Sequence, residues 1–183
     1  MEKYLNAFEA MLTDASRRIE AEYFQLPVAD ADAVYRERVY CYELYHQLRT
    51  VWGQFPFSLG GEIDKSGHPH FRRGPYANAK PDFLIHVPGG MDRNLACLEV
   101  KPLARPTVEF TSDLQKLTWF CRNANYYRGI FLIYGADPAG PENNALPGAK
   151  VREAIAQRED IDGTLIHVFH HPAVGRPVFR VEL

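Results

Sequence analysis

The chain has 183 residues, enough for one domain with a substantial core, and at 46% hydrophobic and 24% charged its composition is that of a globular protein. A formal charge of −2 excludes a globally basic surface, so any contact with nucleic acid must rest on a local patch or a metal ion. No stretch is apolar over the length a bilayer needs, the mixed-charge start MEKYLNAFEAMLTDASRRIE is unlike a secretion signal, and a soluble cytoplasmic protein without membrane contact is expected.

Leu5, Phe8, Leu12, Ala15 and Ile19 recur at helical spacing and predict an amphipathic helix over 3–24. A Pro-containing linker, Phe24–Asp32, follows. The run YRERVYCYELYHQLR predicts a deeply packed helix over about 33–50. FPFSLGGEID (55–64) reads as a strand with a Gly-Gly interruption, and SGHPHFRRGPYANAK as a loop. Strands over 82–88 and 95–101 are joined by PGGMDRN. Ser112 and Gln115 have the spacing of a capping box, which predicts a helix from there to about Ala124. RGIFLIYG (128–135) is apolar throughout and predicts a central strand. A short helix over Ala149–Arg158 and two terminal strands, TLIHVFHH and PVFRVEL, complete the chain. Cys41, Cys97 and Cys121 lack metal-site spacing and read as free, buried thiols. The order predicts one mixed α/β domain over 1–183.

Charges close two otherwise apolar strands. Asp82 opens the first, and Glu99 and Lys101 end the second. The short connection predicts an antiparallel hairpin centred at Gly90–Met91, with Val87 opposite Asn94 and Asp82 opposite Glu99. Directly opposed side chains share a face, about 4.5–5.5 Å apart at Cβ. Lys101, two residues beyond Glu99, shares it too. Two carboxylates so placed repel each other, and Mg²⁺ (or Mn²⁺) would relieve the conflict. The Val100 carbonyl could add an oxygen ligand. Lys101 would orient a metal-bound water, help deprotonate it, or steady the charge on an attacked phosphate. The plainer alternative is a structural salt bridge from Lys101 to Asp82 or Glu99.

These residues resemble the PD-(D/E)XK nuclease superfamily, the restriction-endonuclease-like fold. Pro81-Asp82 matches the first element. After sixteen intervening residues, Glu99-Val100-Lys101 matches the second. The resemblance covers about 35–135 and implies a core order αβββαβ: a central mixed sheet of four to six strands, flanked by helices. The helix 3–24 and the segment 147–183 would be extensions. It implies a Mg²⁺- or Mn²⁺-dependent hydrolase that cleaves phosphodiester bonds, an endonuclease or exonuclease acting on DNA or RNA, with DNA favoured and a 5′-phosphate left. A bacterial restriction, defence or repair setting is implied, with a homodimer if both strands are cut. The family often adds a glutamate from the helix before the sheet. Glu43, on a stripe with Tyr35, Val39, Tyr42 and His46, is one candidate, and Glu62 beside Gly60-Gly61 is another. Exonuclease-like branches carry a Gln with an aromatic four residues on, which Gln115 and Trp119 match.

The loop Ser66–Tyr76 holds His68, His70, Arg72 and Arg73 with Phe71 and Tyr76, a composition suited to phosphate contact and base stacking. Lys116 is a further phosphate contact or ordinary helix surface. His167, His170 and His171 read as structural. Two other readings stay open: a non-catalytic module of the same fold binding nucleic acid or a protein, and a different fold in which 82–88 and 95–101 do not pair.

Overall fold

A computed structural model describes residues 1–62, 75–76, 79–140 and 145–183. Helix α1 (Glu2–Ser16) buries Leu5, Phe8, Leu12 and Ala15. The expected helix over 3–24 is broken after Ser16. The Ser16 hydroxyl bonds back to the Thr13 carbonyl at 3.0 Å and accepts the Val178 N–H at 2.9 Å. Such side-chain bonding to the backbone competes with helix continuation. A single turn, α2 (Ala21–Phe24), follows. The expected linker then holds a small hairpin, β1 (Leu26–Val28) and β2 (Ala31–Val34), turned at Asp30 with φ 57°. Aspartate tolerates that left-handed conformation better than most residues.

Helix α3 (Glu37–Val51) buries Tyr40, Cys41, Leu44 and Leu48. The stripe expected through Tyr42 and His46 is out of phase: Tyr42 is 63% exposed and His46 faces solvent. The aromatic-rich segment offers two apolar phases, and the buried one carries the leucines.

The main sheet comprises β3 (Ser58–Gly61), β4 (Phe83–His86), β5 (Asn94–Pro102), β6 (Tyr126–Tyr134), β7 (Ile166–His171) and β8 (Phe179–Val181), adjacent in that order. Strands β3 to β5 form an antiparallel meander, β5 to β7 are parallel, and β8 returns antiparallel. Helix α4 (Thr107–Asn123) crosses from β5 to β6, as parallel neighbours require. Helix α5 (Ala145–Ala156) precedes a short 3₁₀ turn (Gly163–Leu165). The chain is thus α/β with a mixed six-stranded sheet flanked by helices, and among the described residues α3 through β6 runs helix, three strands, helix, strand.

One apolar layer lies between the sheet and α1 and α3, built on Leu98, Val100, Ile130 and Leu132. The other lies against α4 and α5, built on Leu84, Cys97, Phe131 and Ile133. Strand β5 is buried on both faces, so Glu99, 3% exposed, sits where a hydrophobic residue is the rule. Helix α4 begins five residues earlier than the Ser112 signal suggested. Pro106 occupies its N-cap, and Ser112 and Gln115 lie inside the helix, so no capping box forms. Proline in this position has a backbone angle suited to helix entry. All three cysteines are free thiols, Cys41 and Cys97 buried and Cys121 half-buried. Among the described residues, no helix is long and apolar enough to cross a membrane.

Candidate active site

Strands β4 and β5 pair with Phe83 opposite Leu98, Leu84 opposite Cys97 and Ile85 opposite Ala96. Continuing that register by one residue sets Asp82 opposite Glu99. Nearer the turn a bulge after Ile85 puts His86, not the expected Val87, opposite Asn94. Val87 N–H instead bonds to the Arg93 carbonyl at 2.9 Å. The extra residue affects only the turn side, so the register at the charged end is untouched.

Strand β4 starts at Phe83, so β5 runs past its end. Asp82 fills that gap: its Oδ2 accepts the Val100 N–H at 2.7 Å. In an extended strand the N–H and C=O of one residue point to the same edge, which turns the Val100 carbonyl toward this end of β4 as well. Asp82 and Leu84 share one face of the hairpin, and Cys97, Glu99 and Lys101 share it too. That face is the one covered by α4.

Helix α4 supplies Asp113 and Lys116. The Lys116 ammonium lies 2.8 Å from Glu99 Oε2 and 3.2 Å from Asp113 Oδ1. Lys101 lies 2.9 Å from Glu37 Oε2 and 3.1 Å from Asp113 Oδ2. Among the described residues its ion pairs are therefore with Glu37 and Asp113, not with Asp82 or Glu99. The side chains of Lys101, Asp113 and Glu99 are nearly sealed, at 11%, 9% and 4% exposure.

Burial, with the Asp82 carboxylate nearby, pushes the Glu99 carboxyl well above its usual range, and the Lys116 ammonium only partly offsets this. Burial raises Asp82 as well, from 3.8 to about 7, against the lowering effect of its bond from Val100. Burial pulls the Lys101 ammonium down, but Asp113 and Glu37 outweigh it and hold the lysine above its ordinary value. Lys116 is held up in the same way by Glu99 and Asp113. A lysine so placed is a hydrogen-bond donor and a fixed cation, and not a base at neutral pH.

Glu37, Asp82, Glu99 and Asp113 are four carboxylates set against two ammonium groups, Lys101 and Lys116. Fully ionised, the six groups carry an excess of two negative charges. Glu99 Oε1 is buried and has no hydrogen-bond donor among the described residues. An orphaned buried carboxylate oxygen is costly, and a hard divalent cation is the usual remedy. Asp82, Glu99 and the Val100 carbonyl are an all-oxygen donor set of the kind Mg²⁺ or Mn²⁺ takes, so the residues fit such an ion. As the side chains stand, with lysines on the carboxylates, no group of three or more His, Cys, Asp or Glu among the described residues is already gathered around one point.

Glu62 lies just past β3 with φ 44°, an uncommon conformation for a residue with a side chain. Its N–H bonds to the Asp82 carbonyl at 3.1 Å, and its carboxylate takes Arg38 at 3.1 and 3.4 Å. Glu43 is buried but lies six residues on from Glu37, roughly 120° round α3, and accepts from Gln47 Nε2 at 2.6 Å. Gln115 points away from the cluster, donating to Asp160 Oδ2 at 2.7 Å. It shares a cleft of about 380 Å³ with Trp119 and Tyr76, whose rings lie 5.6 Å apart. Lys116, a candidate for phosphate, is turned inward onto Glu99. His68, His70, Phe71, Arg72 and Arg73 lie outside the described residues. The C-terminal histidines are engaged: His167 with Glu9 at 2.5 Å, His170 with the Gly135 carbonyl at 2.9 Å and His171 with Tyr40 at 2.8 Å.

Glu37 and Asp113 were not among the residues singled out from sequence. Both carried a signal. Asp113 falls on the buried stripe of Phe110, Leu114 and Leu117, and Glu37 on that of Cys41, Leu44 and Leu48, where a carboxylate needs a partner.

No protein-family model matches the chain, and no curated protein matches it.

Proposed function

We propose that the chain is a metal-dependent phosphodiesterase of the PD-(D/E)XK type acting on nucleic acid, DNA in the first instance. The observation that carries the reading is the opposition of Asp82 and Glu99 at the end of β4 and β5, with Lys101 on the same face. Each is expensive to bury alone, and together they suit phosphoryl chemistry. Asp82, Glu99 and the Val100 carbonyl would hold Mg²⁺ or Mn²⁺. When bound, the ion supplies Lewis acidity toward a phosphate oxygen and toward water.

The chain's own groups divide the remaining work. Lys101, kept protonated by Glu37 and Asp113, donates to the attacking water or to the phosphate oxygen on which charge develops. Glu37 and Asp113 hold the ammonium in place. Lys116 neutralises Glu99, a role that a bound divalent ion would share. Glu62 borders the same cleft and, like Glu43, is an assisting carboxylate by resemblance alone. Cleavage leaving a 5′-phosphate, a bacterial restriction, defence or repair setting, a cytoplasmic location and a dimer for cutting both strands are what the resemblance and composition add.

The test is cleavage of plasmid, linear DNA and RNA with Mg²⁺ or Mn²⁺ by the wild type, Asp82→Asn and Lys101→Ala. Metal-dependent cleavage confined to the wild type is the expected result, and equal cleavage by all three removes the assignment. A second reading has its own support. Lys116 closed on Glu99, and Lys101 closed on two carboxylates, is also the pattern of a self-neutralised structural cluster in a non-catalytic binding module. Retention of nucleic acid without cleavage by any of the three would favour it.

A further inference from the structure

Asp82 borders two neighbouring cavities. One, of about 170 Å³, lies among Glu37, Arg38, Glu62, Lys80 and Asp82. The other, of about 270 Å³, is walled chiefly by Tyr42, Tyr45, Gly61, Glu62, Asp82 and Phe83. Glu62 and Asp82 belong to both, so the two are compartments of one groove. Its long wall is a single side of α3: residues 38, 41, 42 and 45 recur at helical spacing. From Glu37 to Tyr45 the helix rises about 12 Å.

The two ends differ in chemistry. The end lined by Glu37 joins the carboxylate cluster and is flanked by Arg38 and Lys80, with Asp82 and Glu62 where the two compartments meet. The far end is aromatic. Tyr45 stacks on Phe83 at 6.4 Å with 14° between the planes, and Tyr42 stands 63% exposed at the lip. A lone exposed aromatic is ordinary. One on the rim of a groove that reaches Asp82 is not. Gly61 leaves the floor open, since a Cβ there would reach to 3.6 Å from the Tyr45 ring.

We propose that this aromatic end receives the unpaired base of the nucleotide next to the scissile phosphate, so that the substrate is nucleic acid single-stranded at the cut. The inference rests on the phosphodiesterase reading above. Bases in a duplex are already stacked and offer only their edges, so stacking on a protein ring requires an unpaired nucleotide. The aromatic compartment is slightly smaller than the roughly 300 Å³ at which drug-sized pockets begin, and it suits one base with its sugar. A phosphate beside Asp82 passes between Arg38 and Lys80. Arg38, 68% exposed in its pair with the 40% exposed Glu62, exchanges that partner for phosphate at little cost.

The test uses the full chain in a metal chelator, with fluorescence anisotropy of a short labelled oligothymidine and of a duplex of the same length. The single strand is expected to bind more tightly than the duplex. Tyr42→Ala should weaken it about tenfold or more, and Tyr42→Trp should restore it. Gly61→Val, which fills the floor from β3, should weaken it too, with circular dichroism confirming that each variant is folded. Failure of the wild type to bind, preference for the duplex, or equal affinity in Tyr42→Ala and wild type would overturn the proposal. Cleavage with Mg²⁺ or Mn²⁺ is scored separately. Cleavage indifferent to Tyr42 removes the base subsite and leaves the phosphodiesterase standing. Tyr42-dependent binding without cleavage keeps the subsite and removes the phosphodiesterase.

Discussion

Asp82 Oδ2 accepts the Val100 N–H at 2.7 Å, which ties the first carboxylate of the candidate site to the strand that carries the second. In the continued register Val100 stands opposite Pro81, two residues before β4 begins, so the bond substitutes for the backbone pairing that the strand would have given had it reached Pro81. It also fixes the carboxylate.

Asparagine at this position keeps an acceptor for Val100 and loses the charge. Asp82→Asn should therefore retain wild-type stability in urea at neutral pH, while Asp82→Ala, which orphans the Val100 N–H, should lose about 1 kcal/mol. Both should weaken Mn²⁺ binding in isothermal titration by at least about 10- to 100-fold, the loss typical of partners one step further from a metal. Unchanged Mn²⁺ affinity in Asp82→Asn would remove this residue from the ligand set.

Stability should depend on pH in a way that a divalent ion reverses. Asp82 titrates at 3.8 when unfolded and at about 7 when folded, and Glu99 is raised in the same direction. The folded state thus binds more protons at Asp82 between those values, so the Asp82 contribution is complete below about 3.8 and is lost as the pH rises through about 7, and Glu99 adds to it in the same sense. His171 acts oppositely. Burial lowers it from 6.5 to about 4, so its contribution is present above 6.5 and is lost as the pH falls through about 4. With chelator present, the thermal midpoint should decline from pH 6 to pH 8. Mg²⁺ should lift it more at pH 8 than at pH 5.5, because only ionised carboxylates bind the ion. An equal lift at both pH values would argue against Asp82 and Glu99 as its ligands.

Lys116→Met separates a metal site from a self-neutralised cluster. Methionine keeps most of the side-chain volume but leaves Glu99 without its ammonium at 2.8 Å. Without metal the variant should lose about 2 kcal/mol, less than the 3–5 kcal/mol of a fully buried broken pair, because Lys116 keeps 18% of its side chain exposed. Where an ion can replace the lysine, saturating Mn²⁺ should restore most of the loss and bind the variant more tightly than the wild type. A loss that Mn²⁺ leaves unrepaired would point to a purely structural role.

The hairpin was legible because its signals are local. Apolar runs from Phe83 to Val87 and from Leu95 to Leu98, joined by a short turn, leave few registers, and they set Asp82 against Glu99. The bulge after Ile85 was not legible, since one inserted residue in a glycine-rich turn leaves no mark on the pattern of the strands. Helix phase was the larger failure. In α3 the alternation of tyrosines supports a stripe through Tyr42 and His46 as well as one through Tyr40 and Leu44, and only packing against the sheet chooses between them. Following the first led to Glu43 and past Glu37. In α4 the Ser112–Gln115 spacing hid the start at Thr107, and with it the place of Asp113 on the buried stripe. The groups that helices bring to the sheet were thus legible only to the extent that the helix phase was.

Glu37 is the most informative of those groups, because it pairs with Lys101 from α3 while its charge also raises Asp82. Its carboxylate lies 2.9 Å from the Lys101 ammonium, with Asp113 at 3.1 Å on the other oxygen contact. Glu37→Gln removes one of the two charges that hold this lysine above its ordinary value, so the Lys101 pKa should fall. The lysine stays protonated at neutral pH but is less firmly placed. Cleavage at pH 7 should slow about 10- to 100-fold with little change in KM, as expected for a positioning residue. Lys101→Ala should be slower still. A Glu37→Gln enzyme with the wild-type rate would mean that Asp113 alone places the lysine.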